Sequence, residues 1–345
     1  MCTDILSYHN SRRTSITLNE SLGSPALSRQ DDIKPKSHRW ELIPDDEGRM
    51  HLMDMSSYVH SVDPHFDAVT DTIFILFTRR NPTSGQVITP TLASIQSSFF
   101  DRNHPTRFTV HGWNGSPQSR VNWLVAEEYF RYGDYNMITV DWTAGGTTLN
   151  YITARNRVRA VGGVIANFID FLHENSYLEF EKLHVMGHSL GGQIAGLTGK
   201  QVRRGVIQVI SAFDPAGPLF SLDNPNERIA PTDGVYVESI ITNGGLLGFM
   251  EPISHATFYP NFGRVQPGCE SDITGQCSHS RSTLLYAESI NSMFTGQECS
   301  SFEEIRDGSC NPTGRTGRLG GPQGSIGQRG NFFMETNAVE PFSRG

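Results

Sequence analysis

The sequence lacks three features, which would indicate a membrane span, nucleic-acid binding and secretion respectively. It has no run of about 20 apolar residues, the length that a membrane-spanning helix needs. It has no block of lysine and arginine, and its formal net charge is −8 at pH 7, so nucleic acid is not expected as a partner. The N-terminal stretch MCTDILSYHNSRRTSITLNE also lacks the apolar core of a secretory signal peptide. The composition that is left, 37% hydrophobic and 19% charged, is typical of a globular protein.

Cysteine is scarce and unevenly placed, and no pair has the C-x-x-C spacing of a zinc site. Only His279 lies near the four cysteines of the last quarter, so we expect no metal there. Four cysteines allow three pairings, and the simplest joins nearest neighbours, which are Cys269 with Cys277 and Cys299 with Cys310. Paired cysteines indicate an oxidising compartment. We therefore expect an extracellular protein, although no signal peptide is visible.

The chain divides into two parts by composition. Residues 1–37 are polar with little periodicity and are expected to be disordered, whereas 38–345 are predicted to form one α/β domain. From residue 71 onward, apolar strand-length segments alternate with helical stripes, which is typical of a doubly wound, mostly parallel sheet. The predicted buried strands are TRFTVHGW (106–113), NMITVDW (136–142), LHVMGHS (183–189) and VIQVISAFDP (206–215). The glycine-rich segment 314–330 breaks the collagen period, so we expect a long loop there before a final strand, NFFMETN.

The stretch VMGHSLGGQIAG (185–196) contains the G-x-S-x-G spacing of a nucleophile elbow, centred on Ser189. An apolar strand precedes it, and Ile194, Leu197 and Val202 follow at helical spacing, so the context is strand, sharp turn and helix. Such a turn aims the helix N-terminus at the serine. A phosphate-binding glycine turn or an ordinary strand–helix connection stays an alternative from this pattern alone.

A serine nucleophile needs an acid and a base, which in this fold follow it in that order. Asp214 ends an apolar strand, at the edge where open α/β sheets build their sites, although a helix cap or turn residue would occupy the same place. Two histidines follow Ser189, namely His255 and His279. Chain order favours His279 only weakly, so both stay open as the base.

The serine also needs backbone N–H groups to bind a developing oxyanion. One should come from Leu190, directly after the nucleophile, and one from an earlier loop at a strand end. The segment VHGWNG (110–115) is such a loop, and it offers the amide of Trp113.

Six motifs in order now suggest a family: FTVHGW, ITVDW, VMGHSLGGQIAG, FDPAGPLF, ISHATFYPN and CSHSRS. Together they resemble the pancreatic-lipase family over residues 70–343, and above all its neutral-lipase and phospholipase A1 branch. The resemblance implies an α/β-hydrolase fold, secretion, and hydrolysis of lipid esters without a cofactor. It also implies a triad of Ser189, Asp214 and His279, with Trp113 and Leu190 as oxyanion donors, and so favours His279 over His255.

Two departures from the family pattern bear on function. Larger members carry a C-terminal β-sandwich, and we expect none in this chain. Some members bind calcium through a stretch resembling Arg-Leu-Asp-Pro-x-Asp, which here is RIAPTD with Ala230 in place of a carboxylate, so no metal is expected.

Short loops carry the expectation about substrate. Only seven residues, ESDITGQ, separate Cys269 from Cys277. That is too few for an amphipathic helix that would cover the site as a lid. The segment 243–254 is also short, with Leu246, Leu247, Phe249 and Met250 available to touch lipid. We therefore expect an open, shallow site in peripheral contact with lipid, and phospholipase A1 activity ahead of glyceride hydrolysis. The alternative is a catalytically silent lipid-binding or yolk-like storage protein, whose signature would be loss of the serine or histidine.

Overall fold

The computed structural model describes residues 39–45, 48–55, 66–148 and 150–345. The segment 1–37, predicted to be disordered, lies outside these described residues. The strands are β1 (Trp40–Pro44), β2 (Met50–Asp54), β3 (Ile73–Phe77), β4 (Gln86–Ile88), β5 (Thr106–Val110), β6 (Asn136–Asp141), β7 (Leu183–His188), β8 (Val209–Phe213), β9 (Tyr236–Ile240), β10 (Ala256–Pro260), β11 (Thr295–Cys299), β12 (Pro312–Arg318) and β13 (Gly330–Met334). The helices are α1 (Ala68–Asp71), α2 (Leu92–Gln96), α3 (Arg120–Tyr132), α4 (Thr143–Gly146), α5 (Tyr151–Glu174), α6 (Leu190–Gly199), α7 (Gln276–Ser289) and α8 (Phe302–Arg306).

An 11-stranded sheet organises the domain, in the order β12-β11-β13-β10-β9-β8-β7-β5-β6-β3-β4. Its centre, from β6 to β13, is parallel, and antiparallel strands complete both edges. The four strands predicted as buried are all present as β5, β6, β7 and β8. The doubly wound, mostly parallel sheet of an α/β hydrolase is therefore confirmed.

Helices cover both faces of the sheet, as the near-continuous apolar strands require. Along β7, successive side chains point to opposite faces, so Val185 joins one hydrophobic cluster and Met186 joins the other. The first cluster contains Val161 and Ile165 of α5, and the second contains Val125 of α3. One strand thus connects the two layers and ends directly at the predicted nucleophile.

Part of the predicted loop 314–330 is a strand. Residues 312–318 form β12, which pairs antiparallel with β11 and is held there by Arg315 and Thr313, both of which donate to Glu298. This strand lies at the edge of the sheet and most of its residues are exposed, so its sequence carries no apolar pattern.

Both disulfides follow the nearest-neighbour pairing. Cys299 at the end of β11 is bonded to Cys310, and Cys269 is bonded to Cys277 in the first turn of α7. Through the described part of the chain, no helix combines the length and apolarity that a membrane crossing requires.

Candidate active site

Ser189 lies in the sharp turn between β7 and α6 and has φ 57° and ψ −123°, a conformation that side chains rarely adopt. Two glycines make the turn possible because the chain passes too close to its neighbours for any Cβ. A Cβ at Gly187 would lie 2.1 Å from the Gly191 carbonyl oxygen, and one at Gly191 would lie 2.1 Å from the Val110 carbonyl oxygen. The strand–turn–helix context predicted for this stretch is thus present, with Leu190 as the first residue of the helix.

Asp214 follows β8 directly and is completely buried. Its Oδ1 accepts hydrogen bonds from the backbone amides of Thr242 (2.8 Å) and Asn243 (3.1 Å). Its Oδ2 accepts one from His279 Nδ1 at 2.6 Å. A Cβ at Gly248 would lie 2.3 Å from Oδ1, so glycine is required there for the loop to pack against the carboxylate. These contacts fix the carboxylate and hold the imidazole with its proton on Nδ1.

His279 lies in the first turn of α7 and lines the same cavity as Ser189. Its backbone carbonyl accepts a hydrogen bond from Ser282 Oγ, and the ring of His188 lies 4.5 Å from its own ring, centroid to centroid. The structure therefore brings the predicted serine, acid and second histidine to one edge of the sheet.

His255 lies elsewhere. Its Nδ1 accepts a hydrogen bond from the Val237 amide at 3.0 Å, and its ring stacks on Tyr236 at the start of β9. That is the amino end of the parallel strands, whereas Asp214 lies at the carboxyl end. Of the two histidines that the sequence leaves open, only His279 contacts Asp214.

The loop after β5 carries Trp113, which is buried and donates its indole N–H to the Thr148 carbonyl at 3.0 Å. The loop is fixed at its start by His111, whose ring stacks on Trp142 and accepts the Trp142 amide proton. Asn114 holds its other end, since its Oδ1 accepts from the Thr148 amide. Trp113 lines the cavity of Ser189, and the N–H of Leu190 lies in the first turn of α6, where the helix itself provides no acceptor.

The cavity at Ser189 is small, and Ser189 itself is partly exposed to solvent. It measures about 20 Å³. The loop between Cys269 and Cys277 forms turns without a helix, in keeping with its length. Part of its wall comes from the β1–β2 hairpin, whose Ile43, Pro44 and Asp45 line the cavity.

The apolar residues of segment 243–254 are mostly turned inward. Leu247, Phe249 and Met250 are buried, and only Leu246 is exposed. The physical reason is that this segment packs against the residues that follow Asp214. The Gly217 amide donates to the Leu247 carbonyl, and the Phe249 amide donates to the Pro215 carbonyl. Of the four side chains expected to touch lipid, only Leu246 is open to solvent, whereas Leu247 lines the cavity of Ser189.

At the stretch RIAPTD, Asp233 forms an ion pair with Lys200 and accepts a hydrogen bond from the Ala230 amide. Burial raises the pKa of Asp233 to about 6, against the opposing effect of the Lys200 hydrogen bond. An ammonium group thus occupies the position beside this carboxylate. Within the residues that the structure describes, no group of three or more His, Cys, Asp or Glu is arranged to hold a metal ion.

Several residues of the site carry no signal in the sequence. Thr242 and Asn243 bind Asp214 through their backbone N–H groups, which every residue type except proline has. Glycine is needed at position 248 because a Cβ there would overlap the Asp214 carboxylate. The Asn-Gly-Gly run at 243–245 marks a turn, but no periodicity points to Asp214. Asp45 accepts a hydrogen bond from Asn114, which lies 69 residues further along the chain, and no sequence pattern relates two residues so far apart.

The strained serine turn, on a sheet with this strand order, defines an α/β hydrolase. The family model described as Lipase matches residues 50–342, and the chain belongs to that family. It is 34% identical over 295 residues to pancreatic lipase-related protein 2 of Cavia porcellus, covering 79% of this chain and 66% of that protein. It is 33% identical to pancreatic triacylglycerol lipase of Mus musculus, covering 74% and 59%. With lipase member H of Danio rerio it shares 31% identity, covering 78% and 63%.

The chain spans about three fifths to two thirds of the length of these curated relatives. Among solved structures, a putative hydrolase of the alpha/beta superfamily from Xanthomonas campestris aligns with a TM-score of 0.31 and 16% identity, covering 47% of this chain and 76% of that one.

The close approach at the elbow predicts that Gly187→Ala is strongly destabilising, by about 3 kcal/mol, because the new methyl group would overlap the Gly191 carbonyl. The matched control is Gly163→Ala in α5, where the methyl group meets only the end of the Gln201 side chain, at 2.9 Å. Helix propensity there favours alanine by up to about 1 kcal/mol. Urea unfolding of both variants measures the difference. Equal stability would contradict the packing described for the elbow.

Proposed function

We propose that the protein is a carboxylic-ester hydrolase that acts on lipid esters through Ser189, His279 and Asp214. The observation that carries the proposal is the 2.6 Å contact between His279 Nδ1 and a fully buried Asp214, in a histidine that shares a cavity with Ser189. Membership of the lipase family supports the lipid substrate class.

In this mechanism, Ser189 Oγ attacks the ester carbonyl carbon while His279 Nε2 takes the hydroxyl proton. The amides of Leu190 and Trp113 donate to the negative oxygen of the tetrahedral intermediate. The intermediate collapses, and His279 passes its proton to the departing alcohol. Water then attacks the acyl-enzyme and gives a proton to His279, which passes it to Ser189 Oγ as the fatty acid leaves. Asp214 stays ionised and stabilises the imidazolium.

A catalytically silent storage or lipid-binding protein is the alternative function. It requires no reactive serine, whereas this chain keeps the serine, the histidine and the strained turn. Backbone strain at a functional residue is costly, and we take its retention as support for the enzyme.

The triad assignment predicts that Ser189→Ala, His279→Ala and Asp214→Asn each lower ester hydrolysis by roughly a thousandfold or more. His255→Ala is the matched control, and we expect it to keep activity because that residue bonds at the other end of the sheet. A fluorophosphonate probe should label the wild type and His255→Ala but not Ser189→Ala. Equal labelling of Ser189→Ala would refute the assignment.

We further propose phospholipid as the preferred substrate, with phospholipase A1 specificity. A cleft of about 810 Å³ lies beside the site, and its border includes His188, Arg120, Asp272 and Thr274. His188 lines this cleft, and its ring lies 4.5 Å from the ring of His279, centroid to centroid. A phospholipid whose head group binds in the cleft would therefore have its ester near Ser189. Opposite charges line the cleft, and a zwitterionic head group carries both signs.

This substrate proposal predicts faster release of the sn-1 acyl chain from phosphatidylcholine than of fatty acid from trioleoylglycerol. Arg120→Ala should slow phosphatidylcholine hydrolysis about tenfold, since a charged hydrogen bond contributes about 1.5 kcal/mol. It should leave p-nitrophenyl butyrate hydrolysis unchanged. The control is Arg131→Ala on the same helix, where the arginine pairs with Glu127 and Glu128. Two results would refute the phospholipid proposal. One is faster hydrolysis of trioleoylglycerol, and the other is an equal effect of Arg120→Ala and Arg131→Ala on phosphatidylcholine hydrolysis.

We also infer that the protein works in an oxidising compartment, as a secreted protein does, because two disulfides are formed. Protein isolated from its natural source without reductant should resist alkylation at the four bonded cysteines, which become reactive only after reduction. Mass spectrometry of the tryptic peptides distinguishes the two states, and free thiols at these positions would rule out the compartment.

A further inference from the structure

The cleft of about 810 Å³ beside the site has a buried cation in its wall. Arg281, on α7 two residues after His279, lines the cleft although it is only 6% exposed. A guanidinium stays charged at neutral pH, and burying a charge is costly unless other groups compensate for it. The surroundings of Arg281 therefore show how far the protein itself provides that compensation.

The groups that contact the Arg281 guanidinium are weak partners for a cation. Its Nη2 donates to the Cys269 sulfur at 3.5 Å, and sulfur is a weak acceptor. The guanidinium carbon lies 4.6 Å from the centroid of the Phe342 ring. Its Nη1 is buried and donates to no group in the part of the chain that the structure describes. Burial lowers the pKa of Arg281, and Glu270, whose charge opposes this effect, is exposed to solvent. The charge of Arg281 is therefore only partly compensated.

The amino end of α3 adds positive potential to the same cleft. Ser119, Arg120 and Val121, at the start of this helix, all line the cleft, and the first turn holds no acidic residue. Ser119 precedes the helix without capping it, and its Oγ accepts from the Ser116 amide. The first amides of a helix have no acceptor within the helix, and the helix dipole makes this end attractive to anions. Arg120 is exposed, so the cleft has one arginine open to solvent and one buried.

Asp272 carries the one carboxyl group among the described residues that line the cleft. Its Oδ1 accepts from the Thr274 amide at 2.9 Å, and its Oδ2 accepts from the Cys277 amide at 2.6 Å. Both oxygens thus bind donors of their own chain segment, at the start of α7. Two arginines and a helix amino end share the cleft with this single carboxylate, and the excess of positive potential suits an anion.

We propose that this part of the cleft is a phosphate site, in which Arg281, Arg120 and the amino end of α3 bind the phosphate group of a phospholipid substrate. The proposal rests on the proposed function, which supplies the reaction at Ser189. Phosphate is the anion that fits, because its oxygens accept hydrogen bonds from guanidinium groups and from backbone N–H groups at a helix amino end. A bound phosphate also provides the counter-charge that Arg281 lacks.

Two sources offer a phosphate group, namely a lipid head group and free inorganic phosphate. The cleft favours the lipid for two reasons. It is connected to the site, since His188 lines it and directly precedes Ser189 in the chain. Its volume also leaves room for the rest of a head group beside the phosphate. A glyceride has no charge to pair with Arg281, so the site separates phospholipids from neutral lipids that carry the same acyl chains.

Calorimetric titration with glycerophosphocholine, the soluble head group of phosphatidylcholine, tests binding without catalysis. We expect the wild type to bind it, and Arg120→Met and Arg281→Lys each to bind it about tenfold more weakly, because each loses hydrogen bonds to a charged group. Arg281→Lys keeps the positive charge but loses the planar fork that holds two oxygens at once. The matched control is Arg131→Met on α3, where the arginine pairs with Glu127 and Glu128, and it should bind as the wild type does. Unchanged binding in both cleft variants would overturn the site.

Hydrolysis of phosphatidylcholine and of dioleoylglycerol, which lacks the phosphate, tests whether the substrate uses the site. We expect both cleft variants to raise the KM for phosphatidylcholine about tenfold, since they weaken binding of the head group. Hydrolysis of dioleoylglycerol and of p-nitrophenyl butyrate should stay unchanged, because neither ester carries a phosphate. If Arg281 only supports the packing of α7 around His279, Arg281→Lys will instead slow all of these esters alike, and that result would overturn its role in binding.

Titration with inorganic phosphate separates the two sources. If the cleft variants lose phosphate binding but keep the wild-type KM for phosphatidylcholine, the site serves free phosphate and the head-group assignment is wrong. Failure of the proposed function gives a different result, because then the wild type hydrolyses none of the esters. Binding of glycerophosphocholine to the wild type, and its weakening in Arg120→Met, still decides in that case whether the phosphate site exists.

Discussion

The close contact between α6 and the end of β5 is the constraint on which the site depends. Gly191 packs against the carbonyl oxygen of Val110, with no room for a side chain. Because Val110 ends β5, the same contact sets the distance from the serine turn to the loop that carries Trp113. It also fixes Ser189 in its rare conformation and aims the first turn of α6 into the cavity. The nucleophile and both candidate oxyanion donors are thus positioned by one backbone contact.

The carboxylate depends on burial in a comparable way. Asp214 is removed from water, where its charge would be unfavourable without partners. Two backbone amides and one imidazole N–H provide them, and all three come from segments distant in the chain. Inside a low-dielectric site such hydrogen bonds are strong, and an imidazole held by one of them keeps a fixed orientation. Segment 243–254 therefore packs inward around the carboxylate, and this accounts for the burial of Phe249 and Met250.

The parts of the fold that the sequence predicts are those in which local pattern and burial agree. β5 and β7 are buried on both faces, so their apolar runs are unambiguous. Ser189 is found from spacing and context, and Asp214 from its place at a strand end. The choice between His255 and His279 is not decided by residues alone, because it depends on which end of the sheet each histidine occupies. The edge strand β12 and the β1–β2 hairpin escape prediction for a related reason: each owes its place to long-range contacts, such as those of Glu298 and Asp45.

The position of the hairpin along the chain separates two properties of the protein. Its first strand, Trp40–Pro44, precedes residue 50, where the match to the family begins, whereas Ser189, Asp214 and His279 all lie within that match. The three side chains thus lie in the part of the chain that matches the family, whereas Ile43, Pro44 and Asp45, which form part of the cavity wall, precede it. Sequence change in that segment can alter which molecules reach the serine while every distance within the Ser189–His279–Asp214 arrangement stays the same.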